Sequence, residues 1–418
     1  MEMAIRSTVH QTGADAVTEL LRFPPPDDAH RSIPCACGHA AKYEGMRSRP
    51  ILTAVGWAQI DRPYYLCPAC GKGQFPADVQ LDIDKTDFSP GVRRMLAAVG
   101  SEAPFAQGRD QMKLLAGVDV TAKAVERIAE SIGKDIETRQ QKDIRSAKQL
   151  HLPAVAGPPI PYLYVQVDGT QVPVRKAETQ DRAGRTPGQP ARTRECKLGV
   201  TFTQTAVDDQ GRPVRDEDST TYVGAIETAE EFGLRIYTEA WNRGWDRATI
   251  RVVMGDGSHW IWNIADQHFP GGIQIVDLYH ARQHLWDLAR KLYPADEAAQ
   301  KRWLMHKLDW LENGKIEKLA AALRNLADAH TNPELGKAIC VEAEYFNSNR
   351  DRMRYPEFRK QNLFVGSGVI EAGCKTVIGS RLKQSGMFWT VLGANAIIAL
   401  RCCCISGKFE AYWEERAS

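Results

Sequence analysis

The pattern of hydrophobic and polar residues changes in character near residue 160. Before that point, apolar residues recur at helical spacing, and residues 88–137 are expected to form three helices. After it, β-branched and aromatic residues stand together in Tyr162-Leu-Tyr-Val-Gln-Val, which favours a strand that ends at Asp168 or, alternatively, extends to Val174. Residues 153–161 are rich in Pro and Gly, which is typical of a domain boundary.

Strands and helices alternate between residues 162 and 277. Strands are expected at 162–168, 197–207, 220–223, 249–254 and 273–276, and helices at 225–244 and 259–267. Three antiparallel strands, a crossover helix and then alternating strands and helices is the order of the ribonuclease-H-like fold. We therefore expect an α/β domain with a mixed sheet and helices on both faces. Residues 278–362 carry a helical pattern and predict an all-helical insertion in that domain.

Four of the ten cysteines lie in two short knuckles near the N-terminus, Cys35-Ala-Cys37-Gly-His39 and Cys67-Pro-Ala-Cys70-Gly. Between them, residues 52–57 and 60–66 are expected to form two hairpin strands. Two knuckles joined by a hairpin are the layout of a zinc ribbon, in which four thiolates hold a structural Zn²⁺. His39 could replace one of the cysteines. The alternative is four ordinary buried thiols.

The helices expected at residues 88–137 include a helix, a short turn with Gly117, and a further helix capped by Thr121. This order is that of a helix-turn-helix, and Lys123 and Arg127 on its outer side are candidate DNA contacts. Many paired helices bind nothing, so a packing role is the alternative. The basic residues from 139 to 148 are expected to continue into a polar linker.

Four regions are therefore expected along the chain. They are an N-terminal helix and linker (1–26), a zinc ribbon (27–85), a helix-turn-helix-like region (86–150), and an α/β domain (160–418) with its helical insertion.

Composition places the 418-residue chain among folded soluble proteins, with 43% hydrophobic and 25% charged residues. A net charge of +2 does not indicate a polyanionic partner, which must be argued from local patches. The N-terminus does not show the basic region and apolar core of a signal peptide. No apolar run reaches about 18 residues, the length expected of a membrane-spanning helix. These features favour the cytoplasm, reduced cysteines and no membrane partner.

Two stretches are locally basic. Residues 175–195 form a loop with an excess of three positive charges, and residues 350–383 carry eight Lys or Arg against three acids. Lys375, Arg381 and Lys383 in the second stretch are candidate contacts to DNA phosphates. For the first stretch, a solvated loop is the alternative.

Three carboxylates stand at positions suited to a metal site. Asp168 and Asp256 each follow a strand and precede a glycine, and Glu371 begins a helix after Gly366-Ser-Gly. Oxygen ligands of this kind suit two Mg²⁺ ions, which assist the cutting or joining of phosphodiesters. The first and fourth strands are expected to be neighbours, so these acids would adjoin. Singly, each acid would more often be a turn, cap or ordinary helical residue.

Asp277 competes with Asp256 for the second position, because it also follows a strand. Asp277-Leu-Tyr-His280 places an acid and an imidazole on one helical turn, and His280 and His284 could form a metal pair. Asp256 is preferred because its strand is expected to lie beside the central one.

Several longer motifs surround these residues: Tyr164-Val-Gln-Val-Asp168-Gly-Thr, Gly255-Asp256-Gly-Ser-His-Trp-Ile-Trp262, His268-Phe-Pro270, Asp277-Leu-Tyr-His280-Ala, Gly366-Ser-Gly-Val-Ile-Glu371-Ala and Arg381-Leu-Lys-Gln-Ser-Gly-Met-Phe-Trp389. In combination they resemble the motifs of DDE transposases of bacterial insertion sequences. The resemblance is strongest to the Kra-type group, which is related to the Mutator-like superfamily. It spans residues 162–405, and the order of ribbon and helices before it is similar.

The resemblance implies Asp168, Asp256 and Glu371 as catalytic residues with Mg²⁺ or Mn²⁺, and Asp277 and His280 as accessory residues. It implies double-stranded DNA as the partner, namely the element's terminal inverted repeats and a target. It also implies a homodimer or larger assembly at the bacterial nucleoid in the cytoplasm. Two alternatives stay open: a ribonuclease-H-like nuclease without strand transfer, and a non-catalytic zinc-ribbon DNA-binding protein.

Overall fold

The computed structural model describes residues 1–180, 182–184 and 188–417. The chain forms two compact units, one of residues 1–132 together with the residues from Phe409 onward, and one of residues 133–408. Asp181 and Arg185, two of the charged residues counted in the basic loop, lie outside the described residues.

The first unit contains an antiparallel sheet with the strand order β1-β2-β3-β4. Its strands are β1 (Ser32–Pro34), β2 (Ala40–Thr53), β3 (Gly56–Leu66) and β4 (Gly73–Gln74). The helices of its N-terminal part are α1 (Glu2–Leu20), α2 (Pro76–Gln80), α3 (Pro90–Glu102), α4 (Phe105–Gln111), which continues as a π-helical turn over Met112–Ala116, and the beginning of α5 (Ala122–Lys148).

The hairpin between the cysteine knuckles differs from the prediction in where its strands begin and end. Strand β2 pairs with β3 from Lys42 opposite Leu66 to Thr53 opposite Gly56, so residues 52–57 contain the turn. The Thr53 hydroxyl donates to the Gly56 carbonyl at 2.7 Å, and Gly56 has a φ of +117°. The chain reverses at Ala54 and Val55, and the residue directly after this tight turn has a positive φ, which glycine tolerates.

Helix α5 is longer than predicted, and residues 139–148 belong to it rather than to a linker. It begins after Thr121, whose hydroxyl accepts from the amide of Ala124 at 3.1 Å. Within the second unit, Glu137 of α5 pairs at 2.8 Å with Arg235, whose side chain is almost completely buried. Ile144 and Ala147 are also buried, so the apolar face of α5 continues past residue 138.

The second unit contains a mixed sheet with the strand order β11-β10-β5-β6-β9. The strands of this unit are β5 (Ile160–Pro173), β6 (Thr193–Gln204), β7 (Ala206–Val207), β8 (Pro213–Val214), β9 (Thr221–Ala225), β10 (Ala248–Gly255) and β11 (Ile273–Val276). Strands β5, β6 and β9 are antiparallel, β10 is parallel to β5, and β11 is parallel to β10. Strands β7 and β8 form a separate short ribbon. The prediction of a mixed α/β sheet is confirmed.

Strand β5 takes the longer of its two predicted extents: it passes Asp168 and continues for five further residues to Pro173. Its pairing with β6 extends from Tyr162 opposite Gln204 to Pro173 opposite Thr193. Asp168 therefore projects from within a strand of an antiparallel pair. It lies where β10, the parallel neighbour on the other side, has already ended.

Helices surround this sheet and make up most of residues 278–405. They are α6 (Ala229–Asn242), α7 (His259–His268), α8 (Leu278–Leu292), α9 (Glu297–Glu312), α10 (Ile316–Asp328), α11 (Pro333–Ser348), α12 (Tyr355–Lys360), α13 (Gly368–Gly373), α14 (Ser380–Leu382) and α15 (Val391–Ile405); α16 (Phe409–Ala417) then returns to the first unit. Helix α6 starts later than predicted, because Thr228 and Glu231 form a reciprocal capping box.

Within the described residues, no single helix is long and apolar enough to cross a membrane, although the consecutive helices α15 and α16 together meet that criterion by length and composition.

Candidate functional site

The four predicted zinc ligands lie together in the first unit. The Sγ atoms of Cys35, Cys37, Cys67 and Cys70 are all within 4.8 Å of one another. The Sγ–Sγ distances are 3.7 Å from Cys35 to Cys70 and 3.6 Å from Cys37 to Cys67. Tetrahedral zinc with Zn–S bonds of about 2.3 Å requires edges of about 3.8 Å. The cluster could therefore hold one zinc ion.

Tight turns of the backbone bring these thiols together. The amide of Gly38 donates to the Cys35 carbonyl at 2.9 Å, and that of Gly71 donates to the Cys67 carbonyl at 2.8 Å. Both glycines have positive φ, at +84° and +70°. His39 lies beside the cluster, with its Nδ1 atom 3.6 Å from the Sγ of Cys37. Four thiolates already complete a tetrahedral set, so His39 is not needed as a ligand.

The electrostatics of the cysteine cluster favour an anionic sulfur. The backbone amide of Cys70 contributes most to lowering the pKa of Cys67 to about 6. The backbone amide of Ala69 and the side chains of Cys37 and Cys70 act in the same direction. At Cys37 the amide of His39 acts in the lowering direction, but the surrounding cysteines raise the pKa to about 12. These contacts favour ionisation of Cys67 first, and a bound cation would favour deprotonation of the other thiols.

The three predicted acids lie around one cavity in the second unit. It has a volume of ≈ 380 Å³ and is lined by Val167, Asp168, Asp256, Tyr279, His280, Gln283, Ser367, Ile370 and Glu371. Asp168 comes from β5, Asp256 follows β10, and Glu371 lies in α13. Residues 88 and 115 positions apart in sequence are thereby brought to one edge of the sheet. His280, predicted as an accessory residue, shares the same cavity.

The surroundings of Asp168 disfavour its ionised form. Burial is the main reason that its pKa is raised, and the negative charge of Asp256 adds to the effect. Two contacts oppose it: the Gly169 amide donates to Asp168 Oδ1 at 2.7 Å, and the Cys374 thiol donates to Oδ2 at 3.4 Å. A carboxylate that is costly to ionise beside a second acid is stabilised by a cation.

Asp277, the rival for the second acid position, does not line the cavity. It is 1% exposed, and both of its carboxylate oxygens accept hydrogen bonds. Oδ1 accepts from the amides of Tyr279 and His280, and Oδ2 accepts from Ser367. Asp256 is more accessible, and its carboxylate accepts a hydrogen bond from the Ser258 amide at 2.8 Å. The geometry favours Asp256 over Asp277 as the acid beside Asp168.

The His280 and His284 rings do share one face of α8, with centroids 5.8 Å apart. The Nδ1 atom of His284 is 2.7 Å from Glu342 Oε2, so one nitrogen of this ring already has a protein partner.

The sequence did not single out two residues that contact the cavity lining, Gln166 and Cys374. Gln166 is completely buried, its Oε1 accepts from the Ile370 amide at 3.1 Å, and its Nε2 lies 3.3 Å from the sulfur of Met254. It thus joins the helix of Glu371 to both central strands. A polar residue inside an apolar strand was the available signal. Cys374, which contacts Asp168, follows Glu371 by three residues and so lies on the same side of the chain.

The donor set of the cavity suits Mg²⁺ or Mn²⁺, because all three acids offer hard oxygen ligands. In the part of the chain that the structure describes, only the cysteines form a group of three or more metal-binding side chains within 4.8 Å of one another. The three carboxylates therefore share a cavity without forming a closed ligand cluster. Side-chain rotation would be needed for all three to contact the same pair of ions.

The candidate DNA contacts differ in accessibility. Lys123, Arg127, Lys375 and Lys383 are exposed. Lys123 pairs with Glu126 at 2.9 Å, and Lys383 Nζ is 2.5 Å from the Thr170 hydroxyl. Arg381 is 0% exposed, with its guanidinium 5.1 Å from the ring centre of Trp389. A direct phosphate contact by Arg381 is contradicted, because a buried side chain cannot reach the DNA backbone; its role is packing.

No protein-family model matches this chain, and a comparison with curated proteins gives no match. Among solved structures, the chain is similar to a chain of the Drosophila P element transposase strand transfer complex. The sequences are 8% identical, the match covers 82% of this chain and 84% of that chain, and the TM-score is 0.28. A likeness at this level does not establish a shared fold, and we argue the function from the residues of this chain alone.

Proposed function

We propose that this protein is a DDE transposase of a bacterial insertion sequence. It would cut DNA at the terminal inverted repeats of its element and join the freed 3′-OH ends to target DNA. The observation that carries the proposal is the convergence of Asp168, Asp256 and Glu371 on one cavity. Three oxygen-ligand residues in a cavity are suited to divalent ions and phosphodiester chemistry.

The sheet of the second unit supports a ribonuclease-H-like assignment. Its first three strands are antiparallel, and β10 and β11 are added in parallel on the other side of β5. Strand order and direction agree with those expected from the alternation of strands and helices. Helices α8 to α12 then occupy the place of the helical insertion between the second and third acids.

Each acid would have a distinct task in this proposal. Bound Mg²⁺ or Mn²⁺ would activate the attacking oxygen and neutralise the leaving one. Asp168 and Asp256 would hold the ions from the two central strands, and Glu371 would complete the set from α13. Lys375 and Lys383, which are exposed and follow Glu371 in the sequence, would contact DNA phosphates.

The first unit would recognise the ends of the element. Its cysteine cluster would hold a structural zinc ion, and the exposed Lys123 and Arg127 at the start of α5 would contact DNA. Two ends must be joined in one reaction, so we propose a dimer or larger assembly acting on DNA in the cytoplasm.

A strand-transfer assay tests the proposal. Purified protein is incubated with Mg²⁺ or Mn²⁺, a supercoiled target plasmid, and labelled duplexes made from the DNA that flanks its reading frame. We expect nicks at the ends of the inverted repeats and labelled plasmid products. Asp256→Asn should lower both by at least about 100-fold, while Asp209→Asn, at an exposed position outside the cavity, should leave them unchanged.

The outcomes separate the alternatives. Nicked ends without joined products would indicate a nuclease that only hydrolyses. Specific binding of the end duplexes without any cutting would indicate a DNA-binding protein without catalysis. Metal-dependent cleavage that survives Asp256→Asn at the wild-type rate would refute the assignment of the cavity.

A further inference from the structure

Helix α11 of the helical segment contacts the loop that carries Asp256. Beside the carboxylate cavity lies a second cavity of ≈ 520 Å³, to which Asp256 and His280 also contribute. The other residues that line it include Gly257, His284, Tyr345 and Asn349. The helical segment therefore forms a wall next to the second acid.

Two hydrogen bonds join α11 to this loop. The Tyr345 hydroxyl donates to the backbone carbonyl of Asp256 at 2.9 Å. The side-chain amide of Asn349 lies 3.4 Å from the Gly257 carbonyl and donates to the Tyr345 carbonyl at 3.0 Å. Two successive carbonyls after β10 are thus held by residues 89 and 92 positions later in the chain.

The Tyr345 ring also packs closely against the loop. Gly257 has a φ of +98°, and a Cβ atom placed there would lie 2.6 Å from Cε2 of Tyr345. A side chain at position 257 would therefore collide with the ring. Close approach of the ring and a positive φ both require glycine after Asp256.

Tyr345 is itself held in place by its neighbours. Its ring stacks on the His284 imidazole, with centroids 3.8 Å apart and an angle of 14°. His284 is in turn held by Glu342, whose Oε2 is 2.7 Å from its Nδ1. Burial raises the pKa of Tyr345, and the charges of Asp256 and two other acids act in the same direction. The hydroxyl therefore remains a donor over the physiological pH range.

We propose that Tyr345 is a positioning residue for Asp256 and that the helical insertion is part of the metal site. The inference rests on the proposed function, because it assigns a task toward the ions that Asp256 would hold. A hydrogen bond to the carbonyl of Asp256 limits the movement of the loop. The carboxylate then loses less conformational entropy when it binds a metal ion.

The test compares two Tyr→Phe variants by metal binding and by activity. Tyr345→Phe removes the hydrogen bond and keeps the ring. Tyr355→Phe is the matched control, because Tyr355 is fully buried in the same unit and its hydroxyl has no hydrogen-bond partner among the described residues. Mn²⁺ binding to zinc-loaded, DNA-free protein is measured by electron paramagnetic resonance. Asp256→Asn identifies which bound Mn²⁺ depends on the cavity.

We expect Tyr345→Phe to weaken the Asp256-dependent Mn²⁺ binding about fivefold, the effect of one lost hydrogen bond. The Mn²⁺ concentration for half-maximal DNA cleavage should rise by a similar factor, with the KM for DNA unchanged. Tyr355→Phe should change neither quantity. A purely structural role of Tyr345 would lower the melting temperature without moving the metal dependence.

Asn349→Ala is a second variant, which removes the contact to Gly257 and should act in the same direction. If both Tyr345→Phe and Asn349→Ala bind Mn²⁺ as the wild type does, the positioning role is wrong and the proposed function stands. If the wild type shows no Asp256-dependent Mn²⁺ binding and no cleavage, the proposed function fails, and this inference fails with it.

Discussion

The backbone amide of Ser367 donates a 2.6 Å hydrogen bond to Oδ2 of Asp277, and the Ser367 hydroxyl contacts the same oxygen. The Asp277 amide donates in turn to the carbonyl of Gly255 at 2.8 Å. Gly255 precedes Asp256, and the carbonyl of Ser367 accepts from the amide of Glu371 at 3.1 Å. One buried aspartate therefore joins the backbone segments that carry the second and third acids.

Asp277 and Asp256 should consequently respond in opposite ways to the same substitution. Asp277→Asn places an amide group where four donors now point, and we expect a loss of about 2–3 kcal/mol in the free energy of unfolding. Asp256→Asn should leave that free energy nearly unchanged and abolish cleavage. Urea denaturation of both variants, with Asp209→Asn as the exposed control, measures the difference. Equal stability of the two variants would contradict the bridging role.

Asp168 should make the metal-free protein sensitive to pH. Its pKa is raised in the folded state, chiefly by burial. The folded protein therefore binds the Asp168 proton more tightly than the unfolded chain does. The resulting stability is fully present below the pKa of an unfolded aspartate and is lost as the pH rises through the raised value. Cleavage, which needs the ionised form, should increase over the same interval.

Asp168→Asn removes this dependence, because an amide does not ionise. We expect the metal-free variant to be more stable than the wild type at neutral pH, by on the order of 1 kcal/mol, and inactive. The difference should disappear below about pH 3, where Asp168 is protonated in both the folded and the unfolded protein. Denaturation curves at the two pH values in the presence of EDTA test this. A variant less stable than the wild type at neutral pH would show that ionisation of Asp168 does not destabilise the metal-free fold.

The features that the sequence predicted well are local ones. The cysteine knuckles contain both their ligands and the glycines of their turns within six residues, so spacing alone indicates the cluster. The apolar runs of β10 and β11 are also local patterns, which a short stretch of sequence is enough to identify. The mixed sheet follows from the order of strands and helices, because parallel strands need crossover connections.

The errors arose where distant residues decide the outcome. Helix α5 passes residue 138, where Arg235, from a distant part of the chain, is buried against Glu137. The charge pattern also placed Arg381 on the surface. Charge alone does not reveal that Trp389 provides a buried stacking partner. None of these partners is visible in a short window of sequence.

Gln166 gives a test of how the third acid is held. Gln166→Met keeps the volume and removes the hydrogen bond to Ile370, so α13 should move relative to β5. We expect about 1–2 kcal/mol of lost stability and about a tenfold loss of cleavage. Gln204→Met is the control, because Gln204 is equally buried but its partners, Tyr164 and Asn362, lie outside the cavity lining. It should lose similar stability and keep its activity per folded molecule.

Lys375 and Arg381 should separate DNA contact from packing. Lys375→Ala removes an exposed charge, so the slope of log Kd against log salt concentration should fall by about 0.9 while stability is unchanged. Arg381→Met removes a buried guanidinium that stacks on Trp389, and should cost about 2 kcal/mol of stability with the salt slope unchanged. Filter binding at several salt concentrations, with melting curves, distinguishes the two. A reduced slope for Arg381→Met would mean that this residue reaches DNA after all.

The cysteine cluster should hold about one zinc ion per chain, and the first unit should depend on it. Cys67→Ser removes a buried ligand, so zinc content should fall to near zero and residues 1–132 should become sensitive to protease. Residues 133–408 have their own core and should stay resistant. Cys340→Ser is the matched control, because Cys340 is exposed and distant in sequence from the four ligands. Elemental analysis measures the zinc content, and limited proteolysis measures the protease sensitivity. Full zinc content in Cys67→Ser would show that the zinc binds elsewhere.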